Sequence, residues 1–257
     1  MKTTIKNILA LVLAVILANA VTAQNKPASF KVPAYQKFAL PNGLTVYLME
    51  QHEVPIISVS AILPAGAIYD GEKSGLASLT ASGLQYGTKS YSKTKLEEEL
   101  DFIGADLNTY ASKESAGLSS KFAAKDLDKV LPILKEVLVD PIFDASEFEK
   151  EKKRVLTGLE QAKESPRSVI NSYWDRFIFA NHVYANPLNG SPATVGKLNI
   201  NDLKNFYQSN YSPQSSAIAV VGDFNMKDMK ARLNKLFGSW KKNNQAQKNL
   251  ASQPVEP

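Results

Sequence analysis

The sequence of 257 residues has no cysteine and only two histidines, His52 and His182. Without cysteine the fold cannot depend on disulfide bonds, and no lipid can be attached through a cysteine sulfur. Histidine and cysteine are also the side chains that most often bind zinc in proteins. Nothing in the sequence places either histidine beside a second ligand, so we expect both to be ordinary structural or surface residues.

Long apolar runs are scarce as well, and the clearest one lies near the N-terminus. Residues 8–20 are uncharged and mostly apolar, Lys2 and Lys6 precede them, and small residues occupy positions 21 and 23. This arrangement predicts a secretory signal peptide over residues 1–23, cleaved before Gln24. The alternative is a membrane anchor, although the run is short for a bilayer span. We therefore expect a soluble periplasmic or secreted protein with no stable membrane anchor after cleavage.

The chain also lacks a strong excess of one charge. Its 30 basic and 25 acidic residues give a net charge of +5, and the two signs are interleaved, as in "EFEKEKKR" over residues 147–154. Interleaving of this kind is typical of a solvated helix face and not of a nucleic-acid-binding patch. We predict no nucleic-acid partner.

The rest of the sequence predicts an N-terminal tail over residues 24–34, one domain over residues 35–242, and a polar linker or C-terminal tail over residues 243–257. Within the domain, Pro41-Asn42-Gly43 marks a turn between two strands. Further strands are predicted over residues 55–63, 105–112, 115–124 and 215–224. Because the strands are clustered and do not alternate strictly with helices, we predict an α+β fold. It is a two-layer sandwich, with an antiparallel sheet of about five to six strands and helices on one face.

Local signals mark the ends of several predicted helices. Gly104 is a natural C-terminal residue for a helix that begins near residue 93, and Asp144 and Glu147 have the spacing of a capping box. Ser165-Pro166 predicts the start of another helix, which continues to Phe179. Amphipathic patterns predict two more helices, over residues 125–141 and 226–240.

The segment "SGLASLTASGLQYGT", residues 74–88, predicts a helix that ends in a glycine turn. Ser78 and Ser82 are four residues apart and therefore share one face of that helix. Neither serine has the surroundings of a nucleophile, because no G-x-S-x-G elbow and no suitable histidine base accompany them. The residues alone favour small side chains that pack against a neighbouring helix.

Five segments in the same order resemble the insulinase/pitrilysin family of inverted zincin metallopeptidases, and the resemblance spans residues 35–242. They are "LPNGLTVYL", "GLASLTASGLQYGT", "GADLNTYASKE", "FEKEKKRVLTGLEQAKESP" and the run from His182 to Phe224. The second segment matches the frame Gly-Leu-Ala-His-x-x-Glu-His-x-x-x-x-Gly-Thr of the family's catalytic helix. In that motif the two histidines bind zinc and the glutamate activates a metal-bound water. A carboxylate from a later helix completes the site.

Carried over residue by residue, the first histidine falls on Ser78, the glutamate on Ala81 and the second histidine on Ser82. Aligning the later helix on Ser165-Pro166 places the third ligand at Gly158. Glu160 lies two residues further along and so on another face of the helix. The resemblance therefore implies a degenerate zinc motif with no catalytic residue and no metal ligand in this chain, and zinc is expected only in a partner subunit.

The resemblance also implies a role. Peptidases of this family enclose an unfolded peptide between two related halves, and some members divide the work between a zinc-bearing chain and a degenerate partner. The present chain resembles the degenerate member of such a heterodimer, which completes the chamber or holds the peptide. Asn108, Thr109, Tyr110 and Ala111 match a strand that lines the family's cleft, where substrate adds as an extra strand. The same four residues are equally well explained as a plain edge strand.

Other interpretations stay open. Family subunits are usually longer, with two similar halves, so the sequence fits a fragment, a trimmed chain or a naturally split half. One alternative function is an active zinc metalloendopeptidase with unorthodox ligands. The other is a purely structural assembly subunit, like the family members that are built into respiratory complexes.

Overall fold

The computed structural model describes residues 33–243, and in that range six strands and eight α-helices form one domain. The strands are β1 (Gln36–Ala39), β2 (Thr45–Glu50), β3 (Ile56–Leu63), β4 (Asp106–Ala111), β5 (Ala116–Ala123) and β6 (Ala217–Gly222). The helices are α1 (Leu76–Gly83), α2 (Lys93–Ile103), α3 (Leu127–Val139), α4 (Ala145–Ala162), α5 (Pro166–Phe179), α6 (Pro192–Val195), α7 (Ile200–Asn210) and α8 (Met226–Phe237). The predicted signal peptide and nearly all of both predicted tails lie outside the described residues, so these predictions stand as made.

The six strands form one sheet in the order β1-β2-β6-β3-β5-β4. Four of the five neighbouring pairs are antiparallel, and β3 pairs with β5 from Ile56↔Ala123 to Leu63↔Ala116. The remaining pair, β2 with β6, is parallel and runs from Thr45↔Ala217 to Glu50↔Gly222. The predicted α+β fold with a sheet of up to six strands is confirmed, with one parallel pair that the prediction did not include.

Alternation along the strands gives the sheet one covered and one open face. Along β3, Ile57 and Val59 are buried, whereas Ser60 and Ile62, which point the other way, are exposed. A period of two residues with one buried face is what a sheet covered by helices on one side requires. The covered face continues through neighbouring strands and helices as a single hydrophobic core.

The predicted helix ends correspond to observed caps. Gly104 ends α2 in the left-handed conformation, with φ +66°, as expected for a residue without a side chain at this position. The Asp144 carboxylate accepts a hydrogen bond from the Glu147 backbone N–H at 3.0 Å and so caps α4. Glu147 itself pairs with Lys150 and Lys93 and does not complete a capping box. Pro166 lies in the first turn of α5, where a missing N–H costs little.

Within residues 33–243, no helix combines the length and the apolar character that crossing a membrane demands.

Candidate functional site

Helix α1 carries the serines of the degenerate motif, and its start is held by a buried carboxylate. The two oxygens of Asp70 accept hydrogen bonds from the backbone N–H groups of Gly75 at 2.9 Å and Ala77 at 2.8 Å. These bonds satisfy donors that a helix start leaves without partners. Removal from water nevertheless dominates, and burial raises the pKa of Asp70 from its ordinary 3.8 to about 7.

The close approach of the segment that contains Asn189 and Gly190 fixes the position of α1. Gly75 has φ +97°, and a Cβ at Gly190 would lie 2.3 Å from the backbone oxygen of Ser74. Only residues without side chains allow these two backbones to meet so closely. The contact brings Asn189 to the exposed side of α1, where its Oδ1 accepts a hydrogen bond from the Ser78 hydroxyl at 3.1 Å.

The structure brings three of the four degenerate positions to one cavity of about 660 Å³. Ser78 and Ser82 line it from α1, and Gly158 lines it from α4. A Cβ added at Gly158 would find nothing within 4 Å, so the space in front of this residue is empty of protein atoms. Ala81, the fourth position, is fully buried in α1 and does not line the cavity. Glu160, which the helical spacing places on another face, is also not part of the lining.

The charges that line the cavity are paired. Arg154 Nε donates to Glu151 Oε2 at 2.8 Å along α4. Lys113 Nζ contacts Asp175 Oδ2 at 3.1 Å and also donates to two backbone oxygens, those of Tyr184 and Asn186, both at 2.7 Å. The two ion pairs leave the lining without net formal charge, and serine and asparagine side chains supply the remaining polar groups.

The described residues offer few ways to bind a transition metal. No group of three or more histidine, cysteine, aspartate or glutamate side chains in residues 33–243 is arranged to hold a metal ion. His52 contacts Asp223 Oδ1 at 2.6 Å and Glu50 Oε1 at 2.8 Å, and these hydrogen bonds raise the pKa of its imidazole. His182 accepts a hydrogen bond from the Tyr184 backbone N–H at 3.3 Å. Neither ring lines the cavity.

Asn108, Thr109, Tyr110 and Ala111, the predicted peptide-binding residues, lie in β4 at the edge of the sheet. One side of β4 pairs with β5, and no strand of residues 33–243 pairs with the other side. Thr109 Oγ1 accepts a hydrogen bond from Gln85 Nε2 at 2.8 Å. None of the four residues lines the cavity, but Lys113, just after β4, does. Their role in binding a peptide remains a prediction.

Sequence reasoning did not identify the residues that complete the cavity wall. Asn189 lies in a turn between residue 185 and α6, and Asn171, Ser172 and Asp175 belong to α5. The glycine at position 190, next to Asn189, was a local signal of close backbone approach. The sequence alone does not indicate which element the backbone at Gly190 approaches.

Comparisons with known proteins find two family profiles that match the chain. The profile described as insulinase (peptidase family M16) matches residues 45–191, more than half of the chain. A second profile, described as peptidase M16 inactive domain, matches residues 197–257.

Two curated proteins and one solved structure illustrate the similarity. Subunit 1 of the mitochondrial cytochrome b-c1 complex of Bos taurus is 30% identical over 202 residues, covering 78% of this chain and 42% of that protein. Subunit beta of the mitochondrial-processing peptidase of Caenorhabditis elegans is 26% identical over 220 residues, covering 85% of this chain and 48% of that protein. The crystal structure of a peptidase M16 inactive domain from Pseudomonas fluorescens is 25% identical with a TM-score of 0.81, covering 87% of this chain and 54% of the other. The chain thus spans about half the length of these relatives.

Proposed function

The chain belongs to the insulinase family of peptidases, M16, and from that premise we propose that it is a non-catalytic member that works with a zinc-bearing homologue. Its role would be to complete the peptide chamber or to hold an unfolded peptide for the partner. One observation carries the proposal. Ser78, Ser82 and Gly158, the positions to which the family motif assigns zinc ligands, line one cavity and offer no ligand side chain to it.

The chemistry of these three residues supports the absence of catalysis. A neutral serine hydroxyl is a poor zinc ligand beside imidazole or carboxylate, and glycine has no side chain to coordinate. Ala81 cannot accept a proton from water, so the general base of the family is missing as well. Any peptide cleavage that the protein supports would therefore use a metal bound to another polypeptide.

The lining of the cavity supports a role in holding a peptide. Its charged side chains are paired, as in Glu151–Arg154 and Lys113–Asp175, and its hydroxyl and amide groups suit the neutral donors and acceptors of a peptide backbone. The edge of β4 with which no strand of residues 33–243 pairs offers a second means of binding, because an extended peptide can add to such an edge through backbone hydrogen bonds alone.

The relatives support a partner protein, because two of them are subunits of larger assemblies, a cytochrome b-c1 complex and a mitochondrial-processing peptidase. We infer for this chain a partner of the same family, and we place both in the periplasm or outside the cell because of the predicted signal peptide over residues 1–23.

Hydrogen exchange and a reconstituted assay test this proposal. Oxidised insulin B chain, as an unfolded peptide, should slow amide exchange in β4, residues 106–111, and leave the other edge strand, residues 36–39, unchanged. The purified chain should raise the rate at which its zinc-bearing homologue, encoded by the same organism, hydrolyses that peptide. No protection of β4 together with no effect on the homologue's rate would contradict the proposal.

A second candidate function is a structural assembly subunit, favoured by the 30% identity to a cytochrome b-c1 subunit. The same experiments separate the two functions. A structural subunit would associate with its partner but would neither protect β4 in the presence of peptide nor change the rate of hydrolysis.

A further inference from the structure

The loop of residues 51–55, which joins β2 to β3, crosses the end of β6. β2 and β3 follow each other in the chain, but β6 lies between them in the sheet. Because β6 runs parallel to β2 and antiparallel to β3, it ends where β2 ends and β3 begins. The loop therefore passes over the last residue of β6, and the Gln51 backbone N–H donates to the Gly222 carbonyl at 2.7 Å.

Three titratable side chains meet at this crossing: Glu50 at the end of β2, His52 in the loop and Asp223 just after β6. The imidazole of His52 lies between the two carboxylates, with Nδ1 2.6 Å from Asp223 Oδ1 and Nε2 2.8 Å from Glu50 Oε1. The second oxygen of Glu50 accepts a hydrogen bond from the Met226 backbone N–H, in the first turn of α8, at 3.0 Å. The cluster therefore joins the end of β2, the loop, the end of β6 and the start of α8.

Only one protonation state of His52 satisfies both of its contacts. A neutral imidazole has a single N–H, so its other nitrogen would turn a lone pair toward a carboxylate oxygen. The imidazolium has two N–H groups and donates to both carboxylates. Within residues 33–243 no lysine or arginine forms an ion pair with Glu50 or Asp223. The proton on His52 is therefore the charge that compensates the two carboxylates.

We propose that Glu50, His52 and Asp223 form a pH-sensitive clasp, which holds the loop across β6 while His52 is protonated and releases it when the proton is lost. On release, a nitrogen lone pair replaces one N–H donor, and the two carboxylates stay beside the ring without a compensating charge. The side chain of His52 is 62% exposed, so its ring exchanges the proton directly with solvent. The loop precedes β3 and the segment that leads to α1 follows it, so the clasp is separate from the cavity.

The two carboxylates also determine the pH range in which the clasp acts. The hydrogen bond to Asp223 and then the hydrogen bond to Glu50 raise the pKa of His52 above its ordinary 6.5, and the charges of both groups act in the same direction. Because the pKa is higher in the folded protein, the contribution of the clasp to stability is fully present below pH 6.5. It is lost as the pH rises through the raised pKa of the folded protein.

Nuclear magnetic resonance of the histidine rings measures the titration. The chain has only two histidines, so the variant His182→Gln assigns the His52 signals and serves as the matched control. In the wild type and in His182→Gln, His52 should titrate with a pKa above 6.5, and Asp223→Asn should lower that pKa because one acceptor loses its charge. A pKa at or below 6.5 in the wild type would overturn the clasp.

Amide hydrogen exchange measures whether the loop is released. From about pH 5.5 to about pH 8.5, the protection of the Gln51 and Met226 amides, relative to amides of β3, should fall about threefold or more in the wild type and in His182→Gln. In His52→Gln, which cannot gain a charge, the same ratio should not change with pH. The comparison with β3 removes the effect of Asp70, whose pKa of about 7 affects the stability of the whole domain. An equal fall in His52→Gln, or no fall in the wild type, would overturn the proposal.

Discussion

Helix α1 has two sides of different character, one packed against the core and one facing the cavity. On the packed side Thr80 is buried, and a Cβ at Gly83 would lie 2.9 Å from the ring of Phe143. On the cavity side Ser78 and Ser82 face open space, and a Cβ at Gly158 would touch nothing. Protein contacts on the packed side hold the helix in place. The frame of the helix is therefore fixed by packing and not by the residues at positions 78 and 82.

Restoring the ligands on the cavity side would change the protein most. The variant Ser78→His, Ser82→His and Gly158→Glu should bind one zinc ion with a dissociation constant of about 1 μM or lower, which corresponds to about 8 kcal/mol. The reason is that three ligands from two fixed helices would face one cavity with free space at position 158. Isothermal titration with zinc measures the affinity.

The matched control for this variant carries Gly158→Ala in place of Gly158→Glu. With the third ligand gone, zinc affinity should fall at least tenfold, since even residues that only support metal ligands contribute that much. If the variant with all three ligands folds but takes up no zinc, these helices do not present the positions as the family alignment requires.

The largest loss of stability should come from the contact that fixes α1. Gly190 has φ +74°, and a Cβ there would lie 2.3 Å from the backbone oxygen of Ser74. Gly190→Ala should therefore reduce the free energy of unfolding by about 3 kcal/mol or more, through backbone strain and steric overlap. Urea denaturation measures the change, and a loss below about 1 kcal/mol would mean that the two segments are not in this close contact.

The buried carboxyl of Asp70, at the start of α1, should make the stability of the protein depend on pH. Because folding raises the pKa of this carboxyl from 3.8 to about 7, its contribution to stability is fully present below pH 4 and is lost as the pH rises through 7. Asp70→Asn should remove this part of the pH dependence and lower stability by about 1–3 kcal/mol, because the amide can accept only one of the two backbone hydrogen bonds. Unfolding midpoints of both proteins from pH 4 to 8 test this, and parallel curves would contradict it.

The smallest effect is expected at the cavity side. Gly158→Ala should stabilise the protein by about 0.5–1 kcal/mol, because alanine favours a helix interior over glycine and its methyl group meets no neighbour. Gly190→Ala and Gly158→Ala are the same chemical change and should have opposite signs, because a Cβ at Gly190 meets a backbone oxygen and a Cβ at Gly158 meets nothing. Destabilisation by Gly158→Ala would show that the cavity is narrower than its lining residues indicate.

Local signals were sufficient to predict most elements of the fold. Gly104 and Asp144 end and begin helices through interactions with residues a few positions away, and the alternation of buried and exposed residues is visible along β3. The parallel pairing of β2 with β6 could not be predicted in this way. Its partners, such as Thr45 and Ala217, are far apart in sequence, and no local pattern specifies the strand beside which β6 inserts.

The candidate site, like the fold, could be predicted where local spacing determines it and not where distant segments meet. The spacing of Ser78 and Ser82 places both on one face of α1, whereas the position of Gly158 opposite them depended on the family resemblance. The bond from Ser78 to Asn189 and the position of the polar side of α5 along the cavity arise from tertiary contacts. The amphipathic pattern of α5 alone would have predicted the opposite orientation, with the exposed Tyr173, Trp174 and Phe177 toward the core.

The central claim is that this chain holds no catalytic metal, and the metal content of the purified wild-type protein tests it most directly. The protein is incubated with zinc, freed of unbound metal, and measured by mass spectrometry of the element and by hydrolysis of oxidised insulin B chain. The account predicts well below one equivalent of zinc and no hydrolysis. One equivalent of zinc, together with hydrolysis that a chelator abolishes, would contradict it.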